Sequence, residues 1–134
     1  MLKVLVVDDS LIMRRNIKKY LTSLGHNIIG EAKNANEALA FCKENKPNLI
    51  TMDISMPGMN GLEAINKIKS INKYFSIIMI TSYGKNNVVK TALQEGAQGY
   101  ILKPVTEEKL YESIGKIYPE YLLLEEDIEE VKDL

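Results

Sequence analysis

The sequence predicts an α/β fold in which a doubly wound, five-stranded parallel sheet is flanked by five helices. Two observations carry this. Five short apolar runs alternate with five stretches of three- and four-residue apolar spacing, the strand–helix alternation of a parallel sheet. The runs are also close to continuously apolar, as strands covered on both faces are. At 134 residues the chain suits one such domain and can bury a core without disulfides.

Each element has its own local reason. "LKVLVV" (2–7) is a β-rich run that ends at Asp8-Asp9. Met13, Ile17, Leu21 and Leu24 then recur at helical spacing, with Ser10 placed as the cap and Gly25 as the stop. "NIIGEA" (27–32) is the second strand, and Asn34 followed by Glu37 resembles a capping box for the helix through Ala38, Leu39 and Phe41. Pro47 ends that helix and leads into "NLITM" (48–52). Gly61 precedes a helix whose Leu62, Ile65 and Ile68 face inward, and "SIIMI" (76–80) is the fourth strand. Val88, Val89, Ala92 and Leu93 mark the next helix, closed by Gly96. "GYIL" (99–102) runs into Lys103-Pro104, and Thr106 caps a last helix through Leu110, Ile114 and Ile117.

Composition excludes several function classes. Cys42 is the only cysteine, which forbids an internal disulfide and suits an intracellular, reducing setting; it reads as a small apolar helix residue. His26 is the only histidine, so no all-protein His/Cys zinc site is available, and it is expected in the turn before a strand with no chemical role. No apolar run is long enough to span a bilayer, and "MLKVLVVDDS" is too short and too soon acidic for a signal peptide. The formal net charge of −1 argues against nucleic acid as a main partner.

In an open α/β sheet, functional groups gather beyond the carboxyl ends of the strands. Here those ends carry Asp8 and Asp9, Asp53, Thr81 and Ser82, and Lys103. Any one aspartate serves equally well as a helix cap. Three at matching strand ends repel one another unless a cation intervenes, and Lys103 alone cannot balance them. The ligands are hard oxygens with no sulfur or imidazole, which points to Mg²⁺ or Mn²⁺ retaining several waters.

The segments "VVDDS", "TMDISMPGMNG", "MITS" and "YILKPV" follow in an order and spacing that resembles the response-regulator receiver domain of two-component signalling, over about residues 2–118. Single-domain chemotaxis regulators of that family are similar in form. The resemblance implies a flavodoxin-like sheet of order 2-1-3-4-5, with Asp53 accepting a phosphoryl group from a histidine kinase. It implies that Asp8, Asp9, Asp53 and the Ser55 carbonyl hold the metal. Thr81 and Lys103 would bind the phosphoryl oxygens, with Ile54 and Ser82 also at the phosphate, and Tyr100 would be the aromatic switch. The Lys103–Pro104 bond would be cis. The implied setting is cytoplasmic, and the implied recipient is a downstream protein or a histidine phosphotransfer protein.

Ser55 and Tyr83 occupy the two positions that tune phosphoryl lifetime in this family. Neither is an acid or amide suited to orienting a water, so slow self-dephosphorylation is expected. Ser55 also argues against an aspartyl-phosphate phosphatase, which wants a second carboxylate there. Asp8-Asp9 argues against a flavin module, whose first loop cradles a phosphate.

Residues 119–134, "PEYLLLEEDIEEVKDL", form a separate extension. Seven acids against one lysine give it −6, leaving the first 118 residues at +5. Tyr121, Leu124, Ile128 and Val131 fall at helical steps, so an amphipathic helix is expected. It would dock on the domain's own basic groups, Arg14, Arg15, Lys18 and Lys19, or on a second copy. A homodimer through this extension or through the fourth and fifth helices is the corresponding expectation.

Overall fold

The computed structural model describes residues 1–55, 60–82 and 86–122. Its elements run β1 (Lys3–Val7), α1 (Leu11–Ser23), β2 (Asn27–Ala32), α2 (Ala35–Glu44), β3 (Leu49–Asp53), α3 (Gly61–Ile71), β4 (Ser76–Thr81), α4 (Asn86–Glu95), β5 (Gly99–Leu102) and α5 (Glu107–Ile117). A 3₁₀ turn, Pro119–Tyr121, follows. All strand pairs are parallel, in the order β2-β1-β3-β4-β5. The predicted sheet is the observed one, with β3 and β4 each extending one residue further, to Asp53 and Thr81.

Two apolar layers flank the sheet. On one face Leu5, Val7, Ile50, Met52, Ile77 and Met79 pack against α2, α3 and α4 through Ala38, Ile65, Ile68 and Ala92. On the other, Val4, Val6, Leu49, Ile78, Ile80 and Ile101 pack against α1 and α5 through Ile17, Leu21, Leu110 and Ile114. Alternate residues of one strand thus serve opposite cores, which is why the strands read as continuously apolar. Every residue of β3 and β4 is buried, Asp53 and Thr81 included.

The caps behave as the sequence suggests, with one difference. Ser10 Oγ accepts the Met13 amide at 3.2 Å, and Thr106 Oγ1 accepts that of Lys109 at 3.1 Å. Gly25 follows the end of α1 at φ +90°, a left-handed turn that suits glycine. Asn34 Oδ1 accepts the Glu37 amide at 2.8 Å, but the Glu37 carboxylate takes the amide of Lys33, one residue before the cap. The capping box is therefore displaced by one peptide.

The extension is described only to Leu122. Tyr118 leaves helical geometry before Pro119, as expected of a residue preceding proline. Its hydroxyl lies 2.8 Å from Ser76 Oγ and 3.2 Å from the Asn48 carbonyl. Tyr121 packs edge-on against buried His26 with ring centroids 4.9 Å apart. The helix expected through Leu124, Ile128 and Val131 lies outside the described residues. Its proposed seat needs correction on one side: Arg14 is buried, and both it and Lys18 are paired with Glu31, so neither is a free basic surface.

Gly61 opens α3 with its Cα pressed on the Ile54 backbone, so an added Cβ would overlap Ile54 Cα and Cβ. Glycine to alanine inside a helix ordinarily stabilises by up to about 1 kcal/mol. Here overpacking reverses the sign. Gly61→Ala is expected to lose about 1–3 kcal/mol of unfolding free energy in urea titration.

Candidate functional site

The sheet delivers its polar residues to one edge. β1 ends at Val7, so Asp8 and Asp9 fall at the first two positions beyond it; β3 ends on Asp53 itself. β4 ends on Thr81, and β5 releases Lys103 one residue after Leu102. Asp8, Asp9 and Asp53 each bring a carboxylate oxygen within 4.8 Å of the others. Asp8 and Asp53 are 1% and 2% exposed, while Asp9 stands open to solvent. The site is therefore a buried acidic pair with an exposed third carboxylate at its mouth.

The partners of these carboxylates are few. Lys103 Nζ lies 3.2 Å from Asp53 Oδ2, and the Ser55 amide donates to Asp53 Oδ1 at 2.9 Å. The Ser10 amide donates to Asp8 Oδ1 at 2.9 Å. Asp8 Oδ2 is buried without a hydrogen-bond partner; among the described residues Thr51 Oγ1 is the other such side-chain atom. Burial raises the Asp8 carboxyl above its usual range, and the charges of Asp53 and Asp9 raise it further. The Ser10 amide and Lys103 oppose this. An orphaned buried carboxylate oxygen beside two more hard oxygens fits a divalent cation of the Mg²⁺ or Mn²⁺ kind.

The remaining predicted residues fall around this core. Thr81 is fully buried, and its carbonyl accepts the Lys103 amide at 2.8 Å, tying two of the strand ends together. Ser82 is exposed just beyond it. Ile54 corrects an expectation. Its amide donates to the Ile80 carbonyl at 3.1 Å, because β3–β4 pairing continues one peptide past Asp53. It therefore offers the site no free donor, and the nearby amide aimed at Asp53 is that of Ser55. Tyr83 lies outside the described residues, as do Pro57 and Gly58. The Lys103–Pro104 bond is cis.

Tyr100 pairs with Met79 across β4–β5, two residues along from the Thr81–Leu102 pair. Strand alternation therefore puts Tyr100 and Thr81 on the same sheet face. Tyr100 is 49% exposed and borders a groove of about 350 Å³ between α4, β5 and α5. Leu93 and Leu102 line it as exposed apolar groups, with Lys109 and Lys116 on its α5 side. Lys109 Nζ donates to the carbonyls of Leu102 and Pro104, at 2.9 and 3.0 Å, bracketing Lys103.

Sequence reasoning missed Arg14 at this site. Its Nη1 donates to the Asp8 carbonyl at 2.7 Å. The signal was present: Arg14 shares the buried stripe of α1 with Ile17 and Leu21, and a cation on an apolar stripe needs a buried acceptor. Cys42 and His26 are both buried. Burial pushes the Cys42 thiol up to about 11. His26 Nδ1 accepts the Leu2 amide at 3.2 Å.

Comparison with known proteins agrees with this geometry. The family model described as the response regulator receiver domain matches residues 4–115. A chemotaxis protein CheY of Thermotoga maritima is 39% identical over 115 residues, covering 86% of this chain and 96% of that protein. A CheY homolog of Campylobacter jejuni is 43% identical over 119 residues, covering 87% and 92%. Among solved structures, CheY in the CheX–CheY–BeF₃–Mg²⁺ complex of Borrelia burgdorferi superimposes with a TM-score of 0.84 at 33% identity, over 87% of this chain and 89% of that one.

A carboxyl whose folded-state pKa lies above its unfolded value holds its proton more tightly when folded, so its ionisation opposes folding as pH rises past about 4. In EDTA at pH 7, Asp8→Asn is expected to melt above the unsubstituted protein, with the gap narrowing as pH falls toward 4. Saturating Mg²⁺ is expected to raise the midpoint of the unsubstituted protein and to leave that of Asp8→Asn nearly unmoved. Differential scanning calorimetry reads both effects.

Proposed function

The chain belongs to the response regulator receiver family, and on that premise we propose that Asp53 is the phospho-acceptor of a two-component signalling switch operating in the cytoplasm. The observation that carries the reading is the placement of Lys103, 3.2 Å from a buried Asp53 carboxylate that shares its pocket with Asp8 and Asp9. An Asp53 oxygen bonds to phosphorus as the P–N bond of a phosphohistidine on the donor kinase breaks. Such transfers need mainly positioning and charge neutralisation. The Ser55 amide orients Asp53 by holding Oδ1, and Lys103 supplies a positive charge to the phosphoryl oxygens. Asp8, Asp9, Asp53 and the Ser55 carbonyl would hold Mg²⁺ or Mn²⁺, which when bound neutralises charge on the carboxylates and the phosphoryl group.

A phosphoryl group on Asp53 adds nearly two negative charges and strong acceptor oxygens beside Thr81, Ser82 and Lys103. Movement of Thr81 toward it vacates space on the sheet face it shares with Tyr100. The exposed Tyr100 ring then has a buried alternative, which changes the groove between α4, β5 and α5. The exposed Leu93, Tyr100 and Leu102 suit a protein partner. The Borrelia relative, solved in complex with a protein, BeF₃ and Mg²⁺, supports a partner that meets the loaded state.

Acetyl phosphate with Mg²⁺ is expected to label the chain, and Asp53→Asn to abolish the label; undiminished labelling would refute the acceptor. A pull-down with BeF₃ and Mg²⁺ is expected to retain a protein that the unloaded chain releases. Onward transfer to a histidine phosphotransfer protein would instead make this chain a relay intermediate. Ser55 and Tyr83 lack the group that would orient an attacking water. Ser55→Asn with Tyr83→Glu should therefore speed loss of the label about tenfold, or 1.4 kcal/mol off the barrier. Unchanged decay counts against that assignment.

A further inference from the structure

We propose that Arg14, held in place by Glu31, is a positioning residue for the cation site, setting the direction in which Asp8 presents its carboxylate. The inference rests on the reading of Asp8, Asp9 and Asp53 as a divalent-cation site.

Asp8 has four polar groups, and three are fixed by the chain. Its amide donates to the Ala32 carbonyl at 3.1 Å, extending the β1–β2 pairing by one residue. Its carbonyl accepts Arg14 Nη1 at 2.7 Å. Its Oδ1 accepts the Ser10 amide at 2.9 Å. With the peptide held on both sides and one carboxylate oxygen occupied, the fourth group, buried Oδ2, has its direction set by the other three. It is the oxygen left over for a cation.

Arg14 is an expensive way to tie a helix to a strand. The residue is 6% exposed and lies on the helix stripe of Ile17 and Leu21, where an apolar side chain would fill the space without desolvating a charge. What the guanidinium adds is direction. Its planar fork sends Nη1 to the Asp8 carbonyl while Nε meets Glu31 Oε1 at 3.1 Å. Glu31, on β2, is itself held by Lys18 at 2.8 Å. The chain of contacts runs from β2 through Arg14 to the last fixed peptide before the acidic cluster. A lysine could donate to the carbonyl or to Glu31, but could not hold both in one plane.

Calorimetric titration of Mg²⁺ into the metal-free full chain, well below its melting temperature, tests this. Arg14→Lys and Arg14→Met are expected to weaken Mg²⁺ binding about tenfold or more, the usual scale for a residue that supports a metal ligand. Glu31→Ala, a change at a partly exposed side chain, should produce a smaller loss in the same direction. At saturating Mg²⁺, BeF₃ affinity should return to near that of the unsubstituted chain. A merely structural defect would lower both affinities and would not separate them.

An unchanged Mg²⁺ dissociation constant in folded Arg14 variants would overturn the inference. If those variants do not fold, unchanged binding in Glu31→Ala overturns it instead. Failure of the cation reading looks different. The unsubstituted chain would then take up no Mg²⁺, or Asp9→Asn would bind it equally well, and the inference would fall with it.

Discussion

Repulsion among the carboxylates at the sheet edge is the constraint around which the rest of the structure is arranged. Unit charges about 5 Å apart at an effective dielectric near 20 repel by roughly 3 kcal/mol, and Asp8 and Asp53 are buried where water screens them least. Such a pair survives only where the surrounding fold is rigid and donors are aimed at it. The two cores flanking the sheet supply the rigidity. The Ser10 and Ser55 amides and the Lys103 ammonium supply the donors. One oxygen, Asp8 Oδ2, is left unsatisfied, and a small hard cation is the kind of partner that could satisfy it.

The parallel sheet is suited to this task for a topological reason. All strands point the same way, so all their carboxyl ends meet at one edge, and residues distant in sequence become neighbours without a long loop. Asp53 and Lys103 are 50 positions apart yet within hydrogen-bonding distance. Two helices of one layer, α1 and α5, then divide the labour. α1 reaches the site through Arg14 and the Ser10 amide, while α5 reaches it through Lys109 and the loop that carries Lys103. Tyr100 and Thr81 share the opposite sheet face, which opens toward the α4 groove.

Most of the architecture was legible because its signals are local. Strand runs, the caps Ser10 and Thr106 and the stop at Gly25 each depend on neighbours within one or two turns, and these lie where the sequence puts them. The acidic cluster was legible because strand ends of a parallel sheet converge by rule. What escaped were contacts set by the third dimension alone. Arg14 stands in the sequence among the basic groups Arg15, Lys18 and Lys19 offered to the extension, whereas the helix turns it inward onto the Asp8 carbonyl. Likewise the resemblance puts Ile54 at a phosphate, and strand pairing one peptide past Asp53 engages its amide with the Ile80 carbonyl. The seat of the capping box slipped to Lys33 for a similar reason, since a flexible carboxylate takes whichever nearby amide the backbone presents.

Lys109 joins two regions that otherwise share only the sheet. Its ammonium holds the carbonyls on either side of Lys103 while its stem borders the groove between α4, β5 and α5. A groove ligand that drew that ammonium away would free the carbonyls on either side of Lys103, the residue that faces Asp53. Linkage makes such a coupling reciprocal, with the same free energy in both directions. The groove and the strand ends would then report on each other through this one side chain.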